Sequence, residues 1–595
     1  MPKLARLAVV FLLLVSASSS LRGQTCGPWR WVNPLPQGNA LQAVAYGNGQ
    51  YVAVGRAGSI VTSRDGETWE LRRSNVAVDL FDVIWNGSEF AAVGGRGAVL
   101  MSLDGETWQS RFTGATADLR KAAWNGSRFV AVGDHGTIVT SPDGWTWSPG
   151  ILSTATTASL RDVVWSGALF VAVGDEGSLV ASPDGQRWDR RDSHTIDRLY
   201  GIAWNGSRFV AVGSGFPEYR TILASDDGSS WNALSLGLGT ELLRVTWTGK
   251  EFLAVGQFGA VAASPDGRQW ERRNPGTPMD LNGIASGPSG LVAVGSRGAI
   301  LTSADGIAWT NRTPGPRAPF SDAAWNGSLY VAVGAEGSIA TSSDGVAWTR
   351  RPTGSFRWLL GVAWSGRVFV AVGEAGTILT SADGLAWTAR SSGVQDVLYS
   401  VLWDGARFLA VGSGGTVLTS GNGDVWASAW VGVGNSLYSV AWSGSQYVAV
   451  GGEHARIIVT SPDGSAWTKR EGSGIEDPLY DVVWNGSQFL AVGGNGRVMM
   501  SADGARWEEG LMGIPGRFFS VTWNGSLYQA VGEDGAAAES IDGRRWSARS
   551  SGTVNDLYGV VWVGSRLIGL GKAGTILDGG CDASTRRLPQ SVSRE

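Results

Sequence analysis

The heptapeptide Ser63-Arg64-Asp65-Gly66-Glu67-Thr68-Trp69 returns along the chain as S-x-D-G-x-x-W, its last residue falling at Trp108, Trp147, Trp188, Trp231, Trp270, Trp309, Trp348, Trp387, Trp467, Trp507 and Trp546. A thirteenth copy, Ser420 to Trp426, carries Asn422 in place of the aspartate. Copies 39 to 43 residues apart over nearly the whole chain indicate stacked supersecondary units. Within each copy the Ser and Asp side chains can bond nearby backbone amides, Gly supplies a positive φ, and Trp closes the turn by packing. The heptapeptide is therefore predicted to be a rigid hairpin turn. Its aspartates, Asp65, Asp104, Asp143, Asp184, Asp227, Asp266, Asp305, Asp344, Asp383, Asp463, Asp503 and Asp542, are expected to staple that turn rather than to do chemistry.

Outward from the turn, the unit Leu119 to Trp147 shows the rest of the repeat. Leu119 to Trp124 reads as a short strand, Asn125-Gly126 as a two-residue turn, Phe129 to Gly133 as a second strand and Thr137 to Thr140 as a third. Asn-Gly between apolar runs is a strong hairpin signal, because a type I′ turn needs two positive φ angles. The heptapeptide then leads into a fourth strand at Trp147, and four short antiparallel strands make a propeller blade. A tryptophan ends the first strand of twelve units, from Trp85 to Trp562, while Tyr46 and Ser286 take its place in two others. That makes fourteen units, with the recurring aromatic expected to pack blade on blade. One ring usually holds ~4–8 blades, so the expected fold is all-β, fourteen four-stranded blades in two seven-bladed β-propellers.

The heptapeptide resembles the Asp-box, or BNR repeat, of sialidases, two-propeller xyloglucanases, sortilin-type receptors and the photosystem II assembly factor family. In those families the box joins the third strand of a blade to its outermost strand, on the rim away from the ligand-binding centre. The resemblance implies the propeller fold; function has to come from other residues. A sialidase would need an arginine cluster and an Arg-Ile-Pro segment, and no Arg-Ile-Pro occurs here. A xyloglucanase of this type builds its cleft from long loops bearing two carboxylates. Here most loops between second and third strands are as short as Asp134-His135-Gly136. Carboxylates on that face, Asp134, Asp175, Glu176, Glu218, Glu336, Glu374, Glu533 and Asp534, are expected to be solvated.

Composition narrows the classes further. Gly numbers 87 and Trp 30 among 595 residues, with no triplet period, which fits many tight turns rather than collagen or disorder. A net charge of −4 without basic clusters argues against a nucleic-acid surface. The three histidines, His135, His194 and His454, lack ligand spacing, so neither metal nor cofactor is expected. Lys3 and Arg6 precede the apolar run Leu7 to Val15 and the small residues Ser16 to Ser20, the pattern of a secretion signal. The run is too short for a membrane span, which needs ~20 residues. Asn-Gly-Ser at Asn86, Asn125, Asn205, Asn326, Asn485 and Asn524 is explained by the hairpin turn it forms.

The expected organisation is a signal peptide over 1–23, one propeller over 24–318, a second over 319–582 and a polar tail over 583–595. The fourteenth unit ends in Asp578-Gly-Gly-Cys581 without an outer-strand Trp, and Trp29-Arg-Trp31-Val-Asn33 stands ahead of the first unit. The N-terminal strand is thus expected to complete the last blade, which would make Cys26 and Cys581 neighbours able to form a disulfide in an exported protein. That pairing is also expected to place the first and last units in one ring, with the other ring inserted into it.

Two longer loops between second and third strands nominate partner-binding residues: Phe216, Tyr219 and Arg220 in unit five, and His454 and Arg456 in unit eleven. Exposed aromatic and Arg side chains are enriched at binding hot spots. The first functional expectation is a non-enzymatic, monomeric, periplasmic or extracellular scaffold for a protein or polysaccharide partner. The alternative is a glycoside hydrolase or sugar-binding propeller. If Trp348 is fully buried, its replacement by Ala is expected to cost roughly 3–5 kcal/mol.

Overall fold

In the computed structural model, the described residues are 29–579 except 35, 155, 216–220, 235–239, 314–317, 454–455, 471–476 and 564–565. The apolar runs of each unit form strands, as in Leu119–Trp124, Phe129–Gly133 and Ile138–Ser141, closed on the outside by Ser148–Pro149. Among the described residues these make fourteen antiparallel sheets of four strands, numbered here as blades 1 to 14 in order of their first strands. Blade 4 gains a short parallel fifth strand, Ile151–Leu152, paired with Arg187–Arg190. No described helix is long and apolar enough to cross a membrane.

The second strand of a blade is buried on both faces, as Phe129–Gly133 is, because each blade is sandwiched between two others. Its last residue has to be glycine. A Cβ on Gly133 would lie 2.0 Å from the Asp118 carbonyl oxygen, where the connector from the previous blade crosses.

At the opposite end of the blade, each heptapeptide folds as its side chains dictate. Asp65 Oδ1 accepts bonds from the Glu67 and Thr68 amides, both at 2.8 Å, and from the Ser63 hydroxyl at 2.9 Å. Ser63 Oγ accepts the Gly66 amide at 2.8 Å, and Trp69 Nε1 donates to the Gly66 carbonyl at 2.9 Å. Backbone N–H groups aimed at the carboxylate hold it below the usual range, as they do for Asp344. The box tryptophan packs on the aromatic that opens the second strand, which packs in turn on the first-strand tryptophan. In blade 3 the centroids of Trp124, Phe129 and Trp147 are 4.3 and 6.1 Å apart in sequence.

Two rings result. The first strands of blades 1 and 7, Leu41–Gly47 and Leu281–Gly287, pack together, with Leu41, Val44 and Tyr51 in one cluster with Val292, Val294 and Ile300. The first strands of blades 8 and 14, Phe320–Trp325 and Leu557–Val563, do the same through Phe320, Tyr330, Ile568 and Leu570. Blades 1–7 therefore form ring 1 and blades 8–14 form ring 2.

The N-terminal strand Arg30–Asn33 pairs antiparallel with Ile576–Asp578, so it is the outermost strand of blade 14. This corrects one sequence expectation: the first and last blades lie in different rings, even though the N-terminal strand completes the last one. Ring 2 is the discontinuous ring, and all of ring 1 is inserted between its outermost strand and its first blade. The chain crosses over at the buried residues Gln37 and Asn39. Asn39 Nδ2 bonds Ser59 Oγ of blade 1 at 2.9 Å and the Gly552 carbonyl of ring 2 at 3.0 Å, and its Oδ1 accepts Thr553 Oγ1 at 2.9 Å. Cys26 and Cys581, which flank the paired Arg30 and Asp578, lie outside the described residues.

Two predictions follow from this packing. Trp348 is half-buried whereas Trp188 has no exposed surface, so Trp188→Ala is expected to cost roughly 3–5 kcal/mol and Trp348→Ala less. Asp344→Ala, which removes the turn bonds alone, is expected to cost about 1 kcal/mol; denaturant titrations rank the three, and equal stabilities would contradict the staple role. Removal of residues before Pro34 strips the buried Trp29 and Val32 from blade 14, a loss of about 5 kcal/mol or more. Limited proteolysis should then cut ring 2 while ring 1 stays resistant.

Candidate functional site

The first strands surround the axis of each ring, and all fourteen carry an irregularity at the same place. Between the first and third residues the register slips, as from Leu119↔Gly133 to Lys121↔Val132, and from Leu437↔Gly451 to Ser439↔Val450. Such a bulge turns the second residue out of the ladder. In every blade the second residue is half-buried at the axial mouth, and the third faces the channel below it. These two columns hold the residues able to meet a ligand on the axis.

In ring 1 the columns are charged and internally paired. The second-residue column has Gln42, Phe81, Arg120, Arg161, Tyr200, Leu243 and Asn282. Arg120 holds Asp134 through two bonds of 2.9 and 2.5 Å and lies over the Phe81 ring, 4.2 Å from its centroid. Arg161 holds Asp175 at 3.0 and 2.6 Å. One layer down, buried Asp82 bonds the Lys121 ammonium and accepts Arg244 Nη2 at 3.3 Å, while buried Asp162 accepts Arg244 Nη1 at 3.0 Å. Burial pushes both carboxyls upward, and Lys121 pulls each back. Two cations and two anions from four blades thus cross-brace the axis.

Ring 2 carries different chemistry at the same positions. Its second-residue column is Ser321, Leu360, Tyr399, Tyr438, Tyr480, Phe519 and Tyr558. The aromatics form a continuous arc: neighbouring centroids are 5.0 Å apart for Tyr399 and Tyr438, then 5.9, 5.5 and 6.1 Å through Tyr480 and Phe519 to Tyr558. Trp358 extends the arc, 6.3 Å from Tyr558, with its Nε1 donating to Ser321 Oγ at 2.9 Å. The contact between Tyr399 and Tyr438 is edge-to-face, with 80° between the ring planes. Burial among its neighbours pushes the Tyr438 hydroxyl up to about 12.

Beneath the arc, the third-residue column is Asp322, Gly361, Ser400, Ser439, Asp481, Ser520 and Gly559. Asp322 accepts the Ala323 amide at 2.8 Å and the Val362 amide at 2.9 Å. Asp481 accepts the hydroxyls of Ser439 at 2.6 Å and Ser520 at 2.9 Å, and the Val482 and Val521 amides at 2.8 Å each. Among the described residues no Lys or Arg pairs with either carboxyl. Depth in the ring pushes Asp322 up to about 7, with the charge of Asp481 adding to the rise. Asp481 is raised by burial as well. Both residues still face the channel in part, and contact with solvent there tempers the effect.

Of the five partner-binding candidates from sequence, Arg456 alone is among the described residues. Phe216, Tyr219, Arg220 and His454 lie outside the described residues, as does Glu218. Arg456 is buried between blades 11 and 12, with Nη1 3.0 Å from Met499 Sδ and 3.8 Å from Glu509, so it is not an exposed anchor. Asp134, Asp175 and Glu533 are gripped by Arg120, Arg161 and Arg517 rather than freely solvated. Glu374 accepts the Trp358 amide at 3.1 Å, and Glu176, Glu336 and Asp534 are exposed at left-handed turn positions. The box aspartates lie at the other end of the blades. Among the described residues no group of His, Cys, Asp and Glu has the arrangement of a metal site. A groove of about 710 Å³ at a blade edge is lined by Arg367, Arg390, Trp403 and Asp424, but Arg390 there is paired with Asp424 at 3.0 Å. The aromatic arc was missed in the sequence because it is a column across units. Its signal is the Leu-Tyr or Phe-Phe pair that opens blades 10 to 14.

No protein-family model and no curated protein matches the chain. Among solved structures, an ancestral GH74 enzyme aligns with a TM-score of 0.69 at 14% identity, covering 93% of this chain and 99% of its own. A GH74 xyloglucanase from Xanthomonas campestris aligns with a TM-score of 0.58 at 13% identity, covering 92% and 99%. YCF48 bound to D1 peptide aligns with a TM-score of 0.39 at 18% identity, covering 44% of this chain and 94% of that one. The chain thus has the all-β propeller fold of the GH74 enzymes along nearly their whole length.

The two axes make separate predictions. Arg244→Met leaves Asp82 and Asp162 buried with Lys121 alone and is expected to cost ring 1 roughly 3–5 kcal/mol; Asp82→Asn with Asp162→Asn in that background should recover much of it in denaturant titrations. For Asp322 the fold favours the protonated carboxyl. Its contribution to stability is therefore full below the ordinary carboxylate range near pH 4 and is lost as pH rises through about 7. Melts of Asp322→Asn should show a smaller fall across that window than the parent; identical slopes would contradict the assignment.

Proposed function

We propose that this is an exported, carbohydrate-directed propeller protein that holds a polysaccharide segment against the aromatic mouth of ring 2. The observation that carries the reading is the arc from Trp358 and Tyr558 through Phe519, Tyr480 and Tyr438 to Tyr399. Sugar rings present faces of slightly positive C–H bonds, which pack on the negative faces of aromatic rings, and tyrosine hydroxyls at the arc's edge can bond sugar hydroxyls. The described loops between second and third strands at the mouth, such as Ala335–Gly337 and Glu374–Gly376, are short. The fold shared with GH74 enzymes adds support. A protein-binding scaffold, the first expectation from sequence, has less behind it, because Arg456, the one of its five candidate anchors that is described, is buried.

Hydrolysis is a second reading with one observation in its favour. A general acid must hold its proton near neutral pH, and Asp322, pushed up to about 7 across the channel from Asp481, meets that requirement.

Affinity electrophoresis and calorimetry against a panel of soluble polysaccharides test the proposal. Tyr438→Ala and Tyr480→Ala are each expected to weaken binding at least about tenfold, ~1.4 kcal/mol. Unchanged affinity in both would remove the arc from the binding site. Release of reducing ends that Asp322→Asn abolishes would establish the hydrolytic reading.

A further inference from the structure

The two rings repeat one architecture and differ in the chemistry they place on the axis. Ring 1 supplies its own cations: Lys121 of blade 3 and Arg244 of blade 6 neutralise Asp82 and Asp162. Ring 2 has two carboxyls in other blades, Asp322 of blade 8 and Asp481 of blade 12, and has Ser400 where blade 3 has Lys121 and Ser520 where blade 6 has Arg244. An axial carboxylate without a counter-ion is unfavourable, so the group either keeps its proton or takes a cation from outside. Above these carboxyls lies an arc of six aromatic side chains, whose faces attract cations electrostatically.

The two carboxyls differ in their capacity to bond. An ionised carboxylate offers about four acceptor sites. Asp481 has filled four, with two hydroxyls and two amides. Asp322 has filled two, one on each oxygen, and so has acceptor capacity left for a donor in the channel. Among the described residues, the mouth adds further negative charge without a matching guanidinium at Glu374, bonded to the Trp358 amide, and at Glu453, bonded to Ser436 Oγ at 2.9 Å.

We infer that the axial mouth of ring 2 selects a polysaccharide bearing free primary amines, a polymer of deacetylated amino sugars, whose ammonium group enters the channel and donates to Asp322 beneath the aromatic arc. The inference rests on the carbohydrate reading and specifies its substrate class. Asp481 contributes charge, while the Trp358-to-Tyr399 arc supplies the sugar platform and the cation-attracting faces. An N-acetyl group at the same place would bring bulk, no charge and one amide donor, and a neutral glucan would bring hydroxyls alone.

Calorimetric titration of the full chain with glucosamine hexaose, N-acetylglucosamine hexaose and cellohexaose tests the inference. The glucosamine oligomer is expected to bind at least tenfold tighter than the other two. Asp322→Asn should bring the three affinities together, and so should Ser400→Lys, which installs at the blade-10 position the cation that blade 3 of ring 1 carries. Ser400→Lys leaves Asp322 in place, so one of the two variants remains informative if the other fails to fold. Tyr438→Ala should weaken all three sugars. Equal binding of the three by the parent chain, or a glucosamine preference that survives both variants, would overturn the amine inference and leave the carbohydrate reading standing. Binding to none of the sugars would overturn both. Tight binding of oligolysine without any sugar would assign the mouth to a basic peptide and overturn the inference.

Discussion

A blade of this protein has two apolar faces and cannot bury them alone. Everything else depends on satisfying that constraint by closing a ring. Fully buried second strands such as Phe129–Gly133 exist only because a neighbour covers each face. Ring 1 meets the constraint by packing alone, with Leu41, Val44 and Tyr51 of blade 1 against Val292, Val294 and Ile300 of blade 7. Ring 2 meets it with a strand taken from the far end of the sequence, Arg30–Asn33 on Ile576–Asp578. The chain between that strand and blade 1 threads buried Asn39 into a junction bonded to both rings, so ring 2 cannot complete its last blade without the N-terminus and its link to ring 1.

Ring closure brings seven first strands around one axis, and a bulge at the same residue of each strand turns a side chain toward the mouth. This frame is indifferent to which residues occupy it, and the two rings use it for opposite purposes. In ring 1 the axis is filled by ion pairs that saturate one another, a brace that contributes to the ring and leaves little for a ligand. In ring 2 the same layer has carboxyls, hydroxyls and glycines, and the mouth above is aromatic. On the proposed reading, the same architecture is a structural axis in ring 1 and a receptive one in ring 2.

The parts of this account legible in the sequence are those with a local mechanism. The S-x-D-G-x-x-W turn, the Asn-Gly hairpins and the missing outer strand of blade 14 all follow from residues within a few positions of one another, and the strand pairing at Arg30 confirms the last of them. The expected sharing of one ring by the first and last blades did not hold, although the split into blades 1–7 and 8–14 matches the expected limits. The segment Gln37-Gly38-Asn39 occupies the connector position beside the Gly298 turn of blade 7, where Cβ addition at Gly298 would meet the Gln37 carbonyl oxygen at 2.3 Å. It therefore serves as a blade-to-blade connector while arriving from the other ring, and nothing in its composition marks the crossing. The aromatic arc was hidden for a related reason. Tyr438 within its own unit is one partly apolar residue in a strand; its meaning comes from Tyr399 and Tyr480 in adjacent blades and from the bulge that aims all three. Of the loop candidates, Arg456 is described, and it is not exposed: its guanidinium turns inward against Met499, which loop length alone does not reveal.

The most direct measurement of the central claim is a crystal structure of the chain with a bound amino-sugar oligomer. The account predicts a sugar residue stacked on the Tyr438 and Tyr480 rings at the mouth of ring 2, with its amine nitrogen within hydrogen-bond distance of an Asp322 oxygen. A sugar bound instead at the mouth of ring 1, or along a blade edge with the ring 2 mouth left open, would contradict it.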